Sequence, residues 1–65
     1  MEYTLKQWRG IKNISQDKLA AAIGRTQITI SHWETGKSGP KAGDMCKLRE
    51  ALALGPEDVI LMQTD

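Results

Sequence analysis

Sixty-five residues make one domain, since a chain this short buries only about 60% of its unfolded surface, and that leaves no room for a second compact unit or for most enzymes. With 40% hydrophobic and 26% charged residues, the composition is that of a folded chain and not of a disordered one. The formal charge of +1 hides a division: residues 1–41 carry seven basic against three acidic groups, a net +4, and residues 42–65 carry two against five, a net −3, so one half of the chain suits an anionic partner.

The chain is punctuated as short helices, and no stretch of four or more residues alternates apolar and polar in the manner of a half-buried strand. Thr4 and Gln7 fit a capping box, with Leu5 and Trp8 on one face of a first helix that runs to about Lys12 and ends at Asn13. Ser15 caps a second helix with an apolar stripe of Leu19, Ala20 and Ile23, closed by Gly24. Thr26 caps a third helix that runs through Thr35 to Gly36. Only a Gly24-Arg25 turn joins the second and third helices, so they must cross steeply, as in a helix-turn-helix. Lys37-Ser38-Gly39-Pro40 reads as a loop, and Met45, Leu48 and Leu52 repeat at helical spacing in a fourth helix. Gly55-Pro56 restarts the chain, because proline suits a first helical position, and predicts a fifth helix to about Met62. The fold class expected is all-α: five short helices in a single domain over residues 1–65.

No apolar run approaches the roughly 18 residues of a membrane span, and Met1-Glu2-Tyr3-Thr4 lacks the features of a signal peptide. A cytoplasmic protein is expected. The lone Cys46 and lone His32 supply neither a disulfide, a metal cage nor a catalytic triad, so neither cofactor nor enzymatic activity is expected.

The run Ile14-Ser15-Gln16-Asp17-Lys18-Leu19-Ala20, then Ile23-Gly24, Thr26-Gln27, Ile30-Ser31 and Trp33-Glu34-Thr35-Gly36-Lys37-Ser38-Gly39-Pro40, resembles the phage Cro and repressor type of helix-turn-helix, the xenobiotic-response-element family. The resemblance spans Leu5 to about Leu61. It implies a core that includes Leu5, Trp8, Met45, Leu48, Leu52, Val59 and Ile60, and it departs from the usual pattern at Asn13, Gly10, Gly43 and Ala53. It also implies an ion pair between Arg9 and Glu34, a DNA-backbone contact from Gln16, and a phosphate contact from Lys37 just past the third helix.

The third helix can be mapped without a template. At about 100° per residue, Ile30 and Trp33 define an inner side, and the opposite side carries Ile28, Ser31, His32 and Thr35, with Gln27 at the exposed tip. This face is polar and uncharged apart from one aliphatic, a composition suited to base edges. Glutamine can bridge N6 and N7 of adenine, Ser and His can bond purine acceptors, and an aliphatic group can pack on a thymine methyl. The base-reading candidates are therefore Gln27, Ile28, Ser31 and His32. Gln16, Thr26, Thr29, Lys37 and Ser38 are the phosphate-binding candidates, helped by the partial positive charge at the starts of the second and third helices. Lys12, Lys18, Arg25 and Lys41 read as solvated charges.

The expected function is a sequence-specific transcriptional regulator that binds double-stranded operator DNA in the major groove. One recognition helix reads few base pairs, so a homodimer on a palindromic operator is expected, with Val59, Ile60, Leu61 and Met62 as the candidate dimer surface. A restriction-modification controller or antitoxin would use the same motif. A protein-binding helical module is the rival from another class, and the basic half and polar groove face weigh against it.

Overall fold

A computed structural model describes residues 1–62. In chain order it comprises β1 (Glu2–Thr4), α1 (Leu5–Lys12), α2 (Gln16–Ile23), α3 (Gln27–Thr35), α4 (Ala42–Ala51) and β2 (Val59–Leu61). Among the described residues the fold is all-α with four helices, plus a strip in which β1 and β2 pair in parallel, Tyr3 opposite Ile60.

The first three helices begin and end where their local chemistry dictates. Thr4 Oγ1 accepts from the Gln7 backbone N–H at 3.2 Å, and Gln7 Oε1 accepts from the Thr4 backbone N–H at 2.9 Å, a complete capping box. Ser15 and Thr26 accept from the backbone N–H groups of Lys18 and Thr29 at 3.1 and 3.3 Å. Each of these caps satisfies a donor that the helix cannot satisfy itself. Asn13, Gly24 and Gly36 close α1, α2 and α3 at φ of 57°, 73° and 83°, the left-handed region that asparagine tolerates and glycine enters freely. Lys41 has no acceptor to offer at the start of α4. Asp44 supplies the cap in reverse, accepting from the Lys41 backbone N–H at 3.3 Å.

The four helices and β2 contribute to one core: Leu5 and Trp8 from α1, Leu19, Ala20 and Ile23 from α2, Ile30 and Trp33 from α3, Leu48 from α4 with Leu52 just after it, and Ile60 from β2, with Tyr3 of β1 packed against that core. Trp8 does two jobs. Its ring meets Tyr3 edge-on at 5.1 Å, and its indole N–H donates to the Val59 carbonyl at 2.9 Å. The N-terminal and C-terminal strands are thereby pinned to α1.

The expected fifth helix is not found among the described residues, and β2 stands in its place. Gly55-Pro56, read as a helix start, forms a reverse turn instead. The Asp58 backbone N–H donates to the Gly55 carbonyl at 3.1 Å, Asp58 Oδ2 accepts from the Gly55 N–H at 2.9 Å, and proline suits the second position of such a turn. Arg49 holds the turn from α4, its guanidinium donating to the carbonyls of Gly55 and Asp58, each at 2.6 Å. The chain leaves the turn extended, and the Val59 N–H donates to the Met1 carbonyl at 2.8 Å. Three residues are too few for period-2 alternation to stand out, yet the alternation is there: Val59 and Leu61 face outward and Ile60 is buried.

The expectations for this segment change accordingly. Val59 is not a core residue, being 43% exposed. Of the four residues placed at a dimer surface, Ile60 belongs to the core and Met62 packs against it half-buried, while Val59 and Leu61 remain outside. No helix among the described residues is long and apolar enough to cross a membrane.

Beyond α4, Ala53 adopts φ 53°. A Cβ in the left-handed region costs about 1 to 2 kcal/mol, and glycine avoids that cost while giving up some in unfolded-chain entropy. Ala53→Gly is therefore expected to stabilise the protein by about 0.5 to 1 kcal/mol, read as a higher denaturation midpoint with an unchanged slope.

Candidate nucleic-acid interface

α3 presents Gln27 and Ile28 as exposed residues, and Ser31 and His32 as half-buried ones. Ile28 is 63% exposed, a large apolar side chain with nothing from its own domain to cover it. Ile30 and Trp33 point the other way into the core, so the faces deduced from the helical wheel are the faces observed.

Behind this surface lies a chain of polar contacts that starts in the interior. The Glu34 side chain is 4% exposed and that of Arg9 15%. Arg9 grips the carboxylate with both Nε and Nη2, the latter at 3.0 Å from Oε1, and its Nη1 donates to the Ile14 carbonyl at 3.1 Å. One guanidinium thus joins α1, the α1–α2 turn and α3. Gln16, the first residue of α2, donates from Nε2 to Glu34 Oε1 at 3.0 Å. Gln27 Nε2 in turn donates to Gln16 Oε1.

The direction of this relay follows from the chemistry of its members. A carboxylate only accepts, so Gln16 must turn its amide nitrogen to Glu34. That leaves the Gln16 oxygen facing Gln27, which must then present its own nitrogen. Gln27, an exposed residue, is left with one N–H and its carbonyl oxygen not used by the relay.

The expected phosphate-binding residues divide into three groups. Gln16 sits in the relay beside Gln27. Thr26 and Thr29 pair hydroxyl to hydroxyl at 3.0 Å at the start of α3. Lys37 and Ser38 are exposed in the loop after α3, their backbone N–H groups donating to the His32 carbonyl at 3.0 and 3.5 Å.

Two features escape a reading of the sequence. Arg25, in the α2–α3 turn, is not a free solvated charge: it donates to both oxygens of Asp44, at 2.8 and 3.1 Å from Nη2 and 3.1 Å from Nε. The Asp44 side chain is 8% exposed, and the Arg25 guanidinium holds its carboxyl below the usual range. Its place in the first turn of the fourth helix was visible, but its partner is 19 positions away. The second feature is an open cleft of about 430 Å³ between α1, α2 and α3, lined by Lys6, Arg9, Gln16, Ser31, Glu34 and Thr35. The i, i+3 spacing of Lys6 and Arg9 was the available signal that they share a face.

Residues 5–59 match the model of the helix-turn-helix family, and the chain belongs to that family. Neither a curated protein nor a solved structure matches it significantly.

Burial by itself would push the Glu34 carboxyl up, and the hydrogen bonds from Arg9 and Gln16 with the charge of Arg9 more than reverse this, holding it below its ordinary range. An acid depressed on folding contributes stability fully above its unfolded pKa and loses that contribution as pH falls through the folded value. Stability is therefore expected to decline as pH drops below the ordinary carboxylate range, about 4.3 for glutamate, and Glu34→Gln should flatten this acid limb. In chemical denaturation, Arg9→Met, Glu34→Gln and the double variant should be non-additive by about 0.5 to 3 kcal/mol. Additive effects would contradict the pairing.

Proposed function

From membership of the helix-turn-helix family we infer a sequence-specific transcriptional regulator of the phage Cro or repressor kind, which binds duplex DNA with α3 in the major groove. The observation that carries this reading is the relay ending at Gln27. A base-reading amide must offer a donor and an acceptor in a fixed order, and the order here is set from the buried Glu34 outward. The free oxygen and remaining N–H of Gln27 match adenine N6–H and N7.

The neighbouring side chains extend the same reading. Ile28 loses its exposed surface against a thymine methyl, and Ser31 and His32 meet base edges deeper in the groove. Gln16, Thr26, Thr29, Lys37 and Ser38 bond the phosphates on either side, which fixes register without adding sequence information. Affinity comes from a homodimer on a palindromic operator with half-sites about 34 Å apart. Of the four residues expected at that contact, Val59 and Leu61 of β2 face outward, at 43% and 42% exposure. In this role the protein acts by occupying a promoter.

Selection of bound sites from random duplexes, together with a salt titration on one unselected duplex, tests the function. The expected result is a palindromic consensus containing adenine, over a background affinity that falls steeply with salt. Absence of salt-dependent binding would contradict the reading and favour a protein-binding module.

Within that framework, Gln27→Ala is expected to cut the preference for the selected site by about 1 to 3 kcal/mol. Its affinity for random duplex and its thermal midpoint should stay nearly unchanged. Lys37→Ala should weaken binding to every duplex alike and reduce the magnitude of the salt slope by about 1. Binding isotherms at fixed salt check the first, and a salt series checks the second.

A further inference from the structure

We propose that Lys6, on α1, is a further DNA-phosphate contact, made through the cleft between α1, α2 and α3. The inference rests on the DNA-binding reading above, which sets the duplex beside Gln16 and Ser31, but Lys6 itself was not used to reach that reading. Three observations carry it.

The first is position. Lys6 and Arg9 form the α1 wall of the cleft, Gln16 belongs to α2, and Ser31, Glu34 and Thr35 line its α3 side. Gln16 and Ser31 are among the residues read as meeting DNA, so the cleft opens beside the surface on which the duplex would lie. The side chain of an exposed lysine at this rim can extend toward a phosphate of that backbone.

The second is charge. The cleft holds two cations, Lys6 and Arg9, and one anion, Glu34. Arg9 engages Glu34 with two nitrogens, and Gln16 supplies a further donor to the same carboxylate. Glu34 is close enough to feel the charge of Lys6, yet Lys6 forms no ion pair among the described residues. The Thr35 hydroxyl donates back to its own helix at the Ser31 and His32 carbonyls and adds no charge to the cleft. Net positive charge with one uncommitted ammonium group is the condition for receiving an anion.

The third is that the fold gains little from a lysine here beyond a through-space attraction to Glu34. Lys6 is the second residue of α1, whose first turn contains no acid. The positive end of the helix dipole disfavours a cation at that place. A group that opposes its own helix and pairs with nothing in the domain is explained by a partner outside it. A duplex phosphate meets the charge, the position and the open cleft together.

The test is a salt series of binding to one random duplex, with thermal denaturation in parallel, for wild type, Lys6→Ala, Lys6→Arg and a control, Lys47→Ala. Lys47 is exposed on α4, in the acidic half of the chain. Lys6→Ala is expected to reduce the magnitude of the salt slope by about 1, since each phosphate neutralised contributes about 0.9 to it. Lys6→Arg should restore the slope and Lys47→Ala should leave it alone. Because the lysine opposes its helix, Lys6→Ala should keep or slightly raise the thermal midpoint while it weakens binding.

An unchanged slope for Lys6→Ala, in a wild type that binds DNA, would overturn the Lys6 contact and leave the DNA-binding reading standing. Equal losses for Lys6→Ala and Lys47→Ala would also overturn it, by showing long-range attraction without contact. A wild type without salt-dependent binding would overturn both proposals at once.

Discussion

The ion pair between Arg9 and Glu34 is the constraint on which the rest of this small domain depends. A carboxylate exposed by only 4% is costly to bury unless its charge and its lone pairs are answered. Here the two nitrogens of one guanidinium and the amide of Gln16 answer them. Because these donors come from α1 and α2 while the acid is on α3, satisfying one group fixes the mutual position of three helices. Removing one partner of such a buried pair typically costs about 3 to 5 kcal/mol, a large share of the stability of any small domain. Replacing both with well-packed apolar groups would cost far less, so the pair is better understood as a device that specifies an arrangement. What it specifies includes the amide of the exposed Gln27.

A second brace works on the other side of α3. Arg25 leaves the turn between α2 and α3 and binds Asp44 at the start of α4, while Asp44 also caps that helix. The α2–α3 turn is therefore held from the flank by an ion pair, between helices whose inner faces pack in the core. At the far end, Arg49 holds the Gly55–Asp58 turn and Trp8 holds β2. These polar ties attach the terminal segments to a core that is small, as it must be in 65 residues.

Helix limits were legible in the sequence because their causes are local. Thr4 with Gln7, Ser15, Thr26, Asn13, Gly24 and Gly36 each act within four residues of themselves, and all of them do in the structure what their chemistry allows. The inner and outer faces of α3 were legible for the same reason, since only the helical repeat is involved. The strand at Val59–Leu61 was not, because what decides its conformation is distant in the chain: the indole of Trp8, 51 residues away, and the carbonyl of Met1. Gly55-Pro56 is compatible with a helix start and with a turn, and the bonds of Asp58 to Gly55 and the grip of Arg49 go with the turn. Arg25 misled for a similar reason, since a charge in a turn reads as solvated until its partner is known. Gln16 and Gln27 were each singled out, but the bond between them, which gives the site its polarity, is tertiary.

The central claim is that base reading by Gln27 is organised from the interior through Gln16. A double-mutant cycle on these two residues measures it directly, taking Gln16→Ala, Gln27→Ala and the double variant and reading the ratio of affinities for a selected duplex over a random one at fixed salt. The ratio cancels any phosphate contact of Gln16, because such contacts act on all sequences alike. If the two amides work as a unit, each single variant loses a similar part of the preference and the double variant loses little more. Losses that simply add would mean that Gln27 reads its base independently of Gln16, and would contradict the account.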